Sequence, residues 1–214
     1  MRRILMILLC MLMLSGCFDY RGLEDQAVIA GIAIDSEDEG YRLTFEIVDI
    51  IGAENGQFGA MILTSTGKSF SDALADAREK LHREMYLGTL RVVLLSREIA
   101  EDAGIKPFVT HLLHDLHVRN SLPLVIAGEE TAGALLTSPE REEQRVIISN
   151  LLGERLGGQN NTAPAPTLHE SYNALLTQDG EITLPIVEIS EIEGIFFELT
   201  GLAQFRDGRL EKER

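Results

Sequence analysis

Residues 27–35 read A-V-I-A-G-I-A-I-D, an unbroken apolar run, rich in β-branched side chains, that closes on a single carboxylate. A run of that length with no polar face reads as a largely buried strand. Residues 36–40 form an acidic turn. Residues 41–49 then alternate, with Tyr41, Leu43, Phe45 and Ile47 on one face and Arg42, Thr44 and Glu46 on the other. That period marks a half-buried strand, antiparallel to the first across a short connection. Residues 52–59 hold three glycines in eight positions and read as a mobile loop, with a third strand at 60–66.

Helical spacing begins at Ser69. Phe70, Ala73, Leu74, Ala77, Leu81 and Met85 make one stripe over 69–85, Ser69 with Asp72 offers an N-cap, and Gly88 suits the exit. Residues 90–95 and 122–127 read as short buried strands. Between them 107–117 is helical, with Phe108, Leu112, Leu113 and Leu116 inward and Pro107 in the first turn. Helices at 129–136 and about 139–156 follow.

Residues 157–166, G-G-Q-N-N-T-A-P-A-P, break the composition and mark a linker. Thr167 and Glu170 then fit a capping box. Strands return at 184–189 and 195–205, and Asp207-Gly208 signals a hairpin whose partner strand has barely begun at Arg214. The pattern is that of an α+β fold, a mixed sheet with flanking helices, with the start of a second α+β domain at the C-terminus. The boundaries expected are 1–16, 17–156, 157–183 as linker and connecting helix, and 184–214 as the incomplete beginning of that second domain.

The first of those segments is an address. Arg2 and Arg3 precede an apolar run over residues 4–14. Eleven helical residues reach roughly 16 Å against a hydrocarbon core of about 30 Å, which makes a signal-peptide h-region and not a membrane span. Leu14-Ser15-Gly16-Cys17 follows directly and resembles the bacterial lipobox: a thiol able to form a thioether with diacylglycerol, behind small residues that admit the peptidase. Cys17 is thus the expected lipidation site, and Cys10, inside the apolar run, is passive filler. Two or three acyl chains make a stable anchor where one does not.

Charge narrows the rest. The chain carries 34 acidic against 19 basic side chains, for a formal charge of -15, and removal of residues 1–16 takes away Arg2 and Arg3 to leave -17. Such a surface repels phosphate and argues against nucleic acid. It also repels anionic lipid, so attachment to a bilayer has to come from the acylated cysteine. Only Cys10 and Cys17 are present, so no CxxC dithiol or zinc ribbon exists.

Other chemical signals are weak. Gly67-Lys68-Ser69 lacks the first glycine of a phosphate loop, position 62 being Ile62, and reads as a turn and helix cap. His111, His114 and His117 fall three apart on one helix, where the outer two do not reach one ion, and no second cluster completes a shell. No G-x-S-x-G elbow appears. The acidic runs at 37–39 and 140–143 read as solvated faces. No cofactor, metal or catalytic residue is expected.

Several segments together resemble the Ger(x)C family, the lipoprotein C subunits of nutrient germinant receptors in endospore-forming bacteria. After Cys17 come Phe18-Asp19-Tyr20-Arg21-Gly22-Leu23, where the family has Cys-Trp-Asp and a basic, leucine-containing stretch. Gly31-Ile32-Ala33-Ile34-Asp35 matches its G-I-x-I-D strand, Tyr86-Leu87-Gly88 its Y-L-G, and Val92 to Ser96 its V-x-L-L-S strand. Asp115 and Arg119 match its Asp-x-x-x-Arg segment, and Gly201 to Phe205 its G-x-A-x-F strand. Phe18 replaces the usual Trp, Thr89 stands where His is common, and His114 stands where Arg often precedes the Asp.

The resemblance implies a non-enzymatic protein anchored through Cys17 at the outer face of the spore's inner membrane. Its partners would be integral membrane receptor subunits of the A and B types, and Asp19, Arg21, Leu23, Gly31, Asp35, Gly88, Asp115 and Arg119 are the candidate motif or interaction residues. The competing readings are a solute-binding extracytoplasmic lipoprotein, suggested by the loop at 52–59, and a carboxylate-based hydrolase.

Overall fold

The computed structural model describes residues 22, 25–54, 57–114, 118–137, 146–157, 165–177, 180–190 and 196–213. In chain order it runs through β1 (Gln26–Glu37), β2 (Gly40–Glu54), β3 (Gln57–Gly67), α1 (Phe70–Lys80), β4 (Glu84–Tyr86), β5 (Val92–Leu95), α2 (Arg97–Asp102), α3 (Lys106–His114) and β6 (Leu124–Ala127). It continues with α4 (Ala132–Leu136), α5 (Ile148–Gly157), α6 (Leu168–Leu176), β7 (Glu181–Ser190), β8 (Phe196–Arg206) and β9 (Arg209–Glu213).

The strands form one mixed sheet in the order β3-β2-β1-β5-β6-β7-β8-β9, with β4 paired to β1 beside β5. Pairing is parallel from β1 through β5 and β6 to β7, and antiparallel in the outer pairs β1–β2, β2–β3, β7–β8 and β8–β9. The strands with continuous apolar sequence are therefore the central ones, since helices cover both of their faces. Ile32, Ile34, Val93 and Leu95 point into a core completed by α1, α2, α3 and α6, while Ala33, Val92 and Leu94 point into a second core under α4 and α5. In the first core Phe108 meets Tyr41 and Phe70 edge-on, with ring centroids 5.5 Å apart in both pairs. Each such pair adds about 0.5–1.5 kcal/mol beyond its buried area. The α+β class expected from the sequence is the class observed.

The departures have local causes. The helix expected over 69–85 ends at Lys80, where Leu81 N–H closes on the Ala77 carbonyl. Met85 lies in β4 but packs on the same core as the stripe, so the apolar period outlasts the helix. Residues 52–59 are mostly not loop, because β2 runs to Glu54 and β3 starts at Gln57. Of the helices expected at 107–117, 129–136 and about 139–156, the described residues show α3, α4 and α5, and 115–117 and 138–145 lie outside the described residues. α2 was not expected: Ser96 caps it by accepting Ile99 N–H, but six residues are too few to display a period.

Hydrogen bonding runs across the division expected at 157–183. β7 pairs parallel with β6 at Ile126↔Ile186 and Ala127↔Val187, so residues 184–213 continue the same sheet. Ile182, Leu184, Ala203 and Phe205 belong to the core that contains Ile32 and Ile34. The hairpin at Asp207-Gly208 is present, with φ of 49° and 79°, and β9 is the partner strand, paired at Phe205↔Leu210 and Arg206↔Arg209. Two positive φ angles in succession suit Asp-Gly in a two-residue turn.

Candidate functional site

Three of the motif residues meet where the strand beside β1 is interrupted. β4 pairs with Gln26, Ala27 and Val28, and β5 takes over at Gly31 to Ile34, so residues 87–91 bulge out between them. The β1 carbonyls facing that gap are still satisfied: Thr89 Oγ1 donates to Ile29 at 3.0 Å and Arg91 N–H to Ala30 at 2.7 Å. Buried backbone acceptors require such partners. Gly88 lies in the bulge against the Tyr86 ring, and Arg119 Nη2 donates to the Leu90 carbonyl at 2.7 Å, tying the segment before β6 to the one before β5. Gly31 is the first β1 residue past the gap. A Cβ there would stand 1.8 Å from Ser149 Oγ, so only glycine lets the start of α5 lie on β1.

Asp35 sits at the far end of β1 and acts through another helix. Its Oδ1 accepts Ala132 N–H at 2.5 Å and its Oδ2 accepts Gly133 N–H at 2.9 Å, at the start of α4. Two same-face rows away, on β2, Glu46 accepts the N–H groups of Ile148 and Ser149, both at 2.7 Å, at the start of α5. Gly31, Ala33 and Asp35 pair with Glu46, Thr44 and Arg42, so both carboxylates share one sheet face. Each satisfies helix N–H groups that have no intrahelical acceptor. Burial raises the Asp35 pKa above the ordinary carboxylate value, against the opposing pull of the Gly133 and Ala132 N–H groups and of Arg42.

Beside the bulge an open cleft of about 280 Å³ is lined by Arg91, Arg119, Ser121, Glu154, Leu156 and Thr167, among others. Two guanidinium groups and two hydroxyls suit an anionic or carbonyl-bearing surface. Among the described residues no histidine lines the cleft. Among the described residues no group of His, Cys, Asp and Glu is placed to hold a metal, and no helix is long and apolar enough to cross a membrane.

Gly31, Gly88 and Arg119 are thus brought together, and Asp35 stands apart from them as a helix cap. Cys17, Asp19, Arg21, Leu23 and Asp115 lie outside the described residues. His111 packs edge-on against Phe70 with centroids 5.1 Å apart, so it belongs to the packing of α1 on α3. Ser69 caps α1 in a reciprocal box with Asp72. Sequence reasoning passed over Glu46 and Arg91. The signal for Glu46 was a carboxylate on the polar face of a strand whose neighbour is wholly apolar, which demands a buried partner if that face is covered.

The family model described as "Spore germination protein N-terminal domain" matches residues 19–189. Spore germination protein A3 of Bacillus subtilis (strain 168) is 27% identical over 195 residues, covering 86% of this chain and 50% of that protein. Spore germination protein GerQC of Bacillus cereus is 26% identical over 208 residues, covering 96% of this chain and 56% of that protein. The crystal structure of the GerBC protein aligns over 86% of this chain and 51% of that chain at 17% identity, with a TM-score of 0.41. The chain spans about half the length of these relatives. With the greater part of its length matched, the chain belongs to the Ger(x)C family of spore germination proteins, whose N-terminal domain it carries.

Proposed function

We propose that this chain is a lipoprotein subunit of a nutrient germinant receptor, held by acylated Cys17 at the outer face of the spore's inner membrane. There it works by contact with integral membrane subunits of the A and B types and turns over no substrate. The observation that carries the reading is the placement of the family match, which begins at residue 19, two positions after the cysteine of Leu14-Ser15-Gly16-Cys17. Relatives named as spore germination proteins support the process. The cleft beside Arg91 and Arg119 offers donors for recognition. A lipid leash confines the folded head to a thin layer beside its partners and raises their effective concentration without a tight soluble interface.

Mass spectrometry of the N-terminal peptide from the native host tests this directly. Diacylated or triacylated Cys17, loss of the protein from spore membranes in Cys17→Ser, and a nutrient-specific germination defect in that variant are expected. An unmodified cysteine on membrane-associated, active protein overturns the lipoprotein reading.

A further inference from the structure

We propose that the cleft beside the bulge between β4 and β5 captures the C-terminal carboxylate of a partner polypeptide, with Arg91 and Arg119 as the donors. The inference deepens the reading that this chain works by contact, and it rests on that reading for the partner being a protein.

Both arginines are held in place through the backbone. Arg91 N–H donates to the Ala30 carbonyl at 2.7 Å, and its stem lies on α5 at Gly153, where a Cβ would stand 3.2 Å from the Arg91 Cβ. Arg119 spends an Nη2 donor on the carbonyl of Leu90, the residue before Arg91, at 2.7 Å. A guanidinium has five N–H donors, so most of that fork stays available. The wall that carries Arg119 is zipped to the segment before α6: Leu124 N–H donates to Pro166 at 3.2 Å and Leu168 N–H to Leu122 at 2.6 Å. Two cations are thereby fixed in one cleft of a chain whose formal charge is -15. Among the described residues neither forms an ion pair. Like charges held together are unfavourable, and an anion placed between them relieves the repulsion.

The rest of the lining selects the anion. Glu154 is the one acid among the described lining residues, so two cations face one acid and the balance suits a single negative charge rather than a dianion. Ser121 adds a hydroxyl, whereas the Thr167 hydroxyl is committed to Glu170 at 2.9 Å. The parallel donors of a guanidinium fork match the two oxygens of a carboxylate. Pro123, Leu156 and Ala165 supply an apolar wall for a small side chain beside it. Size decides between a free solute and a chain end. The cleft is open and holds about 280 Å³, whereas small-molecule pockets run to about 300–1,000 Å³ and wrap most of their ligand. A chain end needs only its last residue or two held, and capture of a terminal carboxylate is a recurrent way to bind a polypeptide.

The test is fluorescence anisotropy of a labelled pentapeptide ending in alanine and valine, titrated with the full chain in maltoside micelles. The free-acid peptide is expected to bind roughly 10–100-fold more tightly than its C-terminal amide, the worth of a charged hydrogen-bonded pair. Arg91→Gln is expected to erase that difference, with circular dichroism verifying the fold. Glu154→Gln is expected to tighten the free acid by roughly threefold, a gain that a damaged fold does not produce. Equal binding of acid and amide overturns the proposal. So does an amidated peptide with an internal glutamate that binds as tightly as the free acid, or free valine that matches the peptide. None of these readouts depends on acylation of Cys17, so their failure leaves the lipoprotein reading standing, and an unmodified Cys17 leaves them standing.

Discussion

The Asp35 carboxylate holds the first turn of α4 by accepting the N–H groups of Ala132 at 2.5 Å and Gly133 at 2.9 Å across 97 and 98 residues of chain. Asp35→Ala leaves both donors without their acceptor, and a loss of about 1–3 kcal/mol in urea unfolding is expected. Asp35→Asn retains one acceptor oxygen and is expected to cost less.

The same residue sets a sign for pH dependence. Burial raises the Asp35 pKa above 3.8, so the folded state holds the proton more tightly than the unfolded chain. Its contribution to stability is complete below the unfolded value and is lost as pH rises through the raised folded value. Urea titrations between pH 3.5 and 7 should therefore show wild type losing stability relative to Asp35→Asn as pH increases through about the carboxylate range. A difference that is flat with pH, or that grows in favour of wild type, contradicts the burial argument.

Glu46 is fully buried and accepts Ile148 and Ser149 N–H groups, so Glu46→Ala is expected to be among the more damaging single changes. Loss of a buried acceptor of this kind costs about 1–3 kcal/mol and should expose the α5 amides. Hydrogen exchange should accelerate at residues 148–152 before it does in α1.

Gly31→Ala forces a methyl group onto Ser149, and overpacking of this type costs about 1–3 kcal/mol. Ser149→Gly removes both the hydroxyl and the Cβ in the way. A double-mutant cycle should return part of the loss, whereas strict additivity would show that the two residues do not meet.

The open edge of the sheet at β3 is guarded by α1. Asp76 accepts Thr66 N–H at 3.0 Å and Lys80 Nζ donates to the Thr64 carbonyl at 3.1 Å, with the two side chains themselves paired at 2.6 Å. Hydrogen bonding to Lys80 and then to Thr66 holds the Asp76 pKa below its ordinary value, so the guard persists above the carboxylate range and is released as pH falls through the lowered value. Asp76→Ala combined with Lys80→Ala uncovers an edge donor and acceptor and is expected to promote concentration-dependent self-association, read by light scattering.

The sequence spoke clearly where one face or both faces of an element had a single environment. The run from Ala27 to Asp35 identified the inner strand, the alternation of Leu43, Phe45 and Ile47 its antiparallel neighbour, and Thr167 with Glu170 the start of α6. Short elements were silent: β4 has three residues and α2 six, below the length at which a period can be told from chance. The affiliation of 184–213 was hidden because parallel pairing of β7 with β6 joins residues about 60 apart, and neither strand's own pattern names its partner. At the site, Gly31, Gly88 and Asp35 were legible as motif positions, but the reason for Gly31 and Asp35 lies in contacts far along the chain, with Ser149 and the α4 amides.

Phe205 of β8 is entirely buried in the cluster that holds Ala27 of β1, so strands far apart along the chain complete one another. During synthesis this sets an order of events. Everything through α6 emerges from the ribosome with an apolar trough still open, and the trough closes only when β8 arrives. A premature stop anywhere before codon 196 should therefore yield a sticky, protease-sensitive product rather than a smaller stable protein.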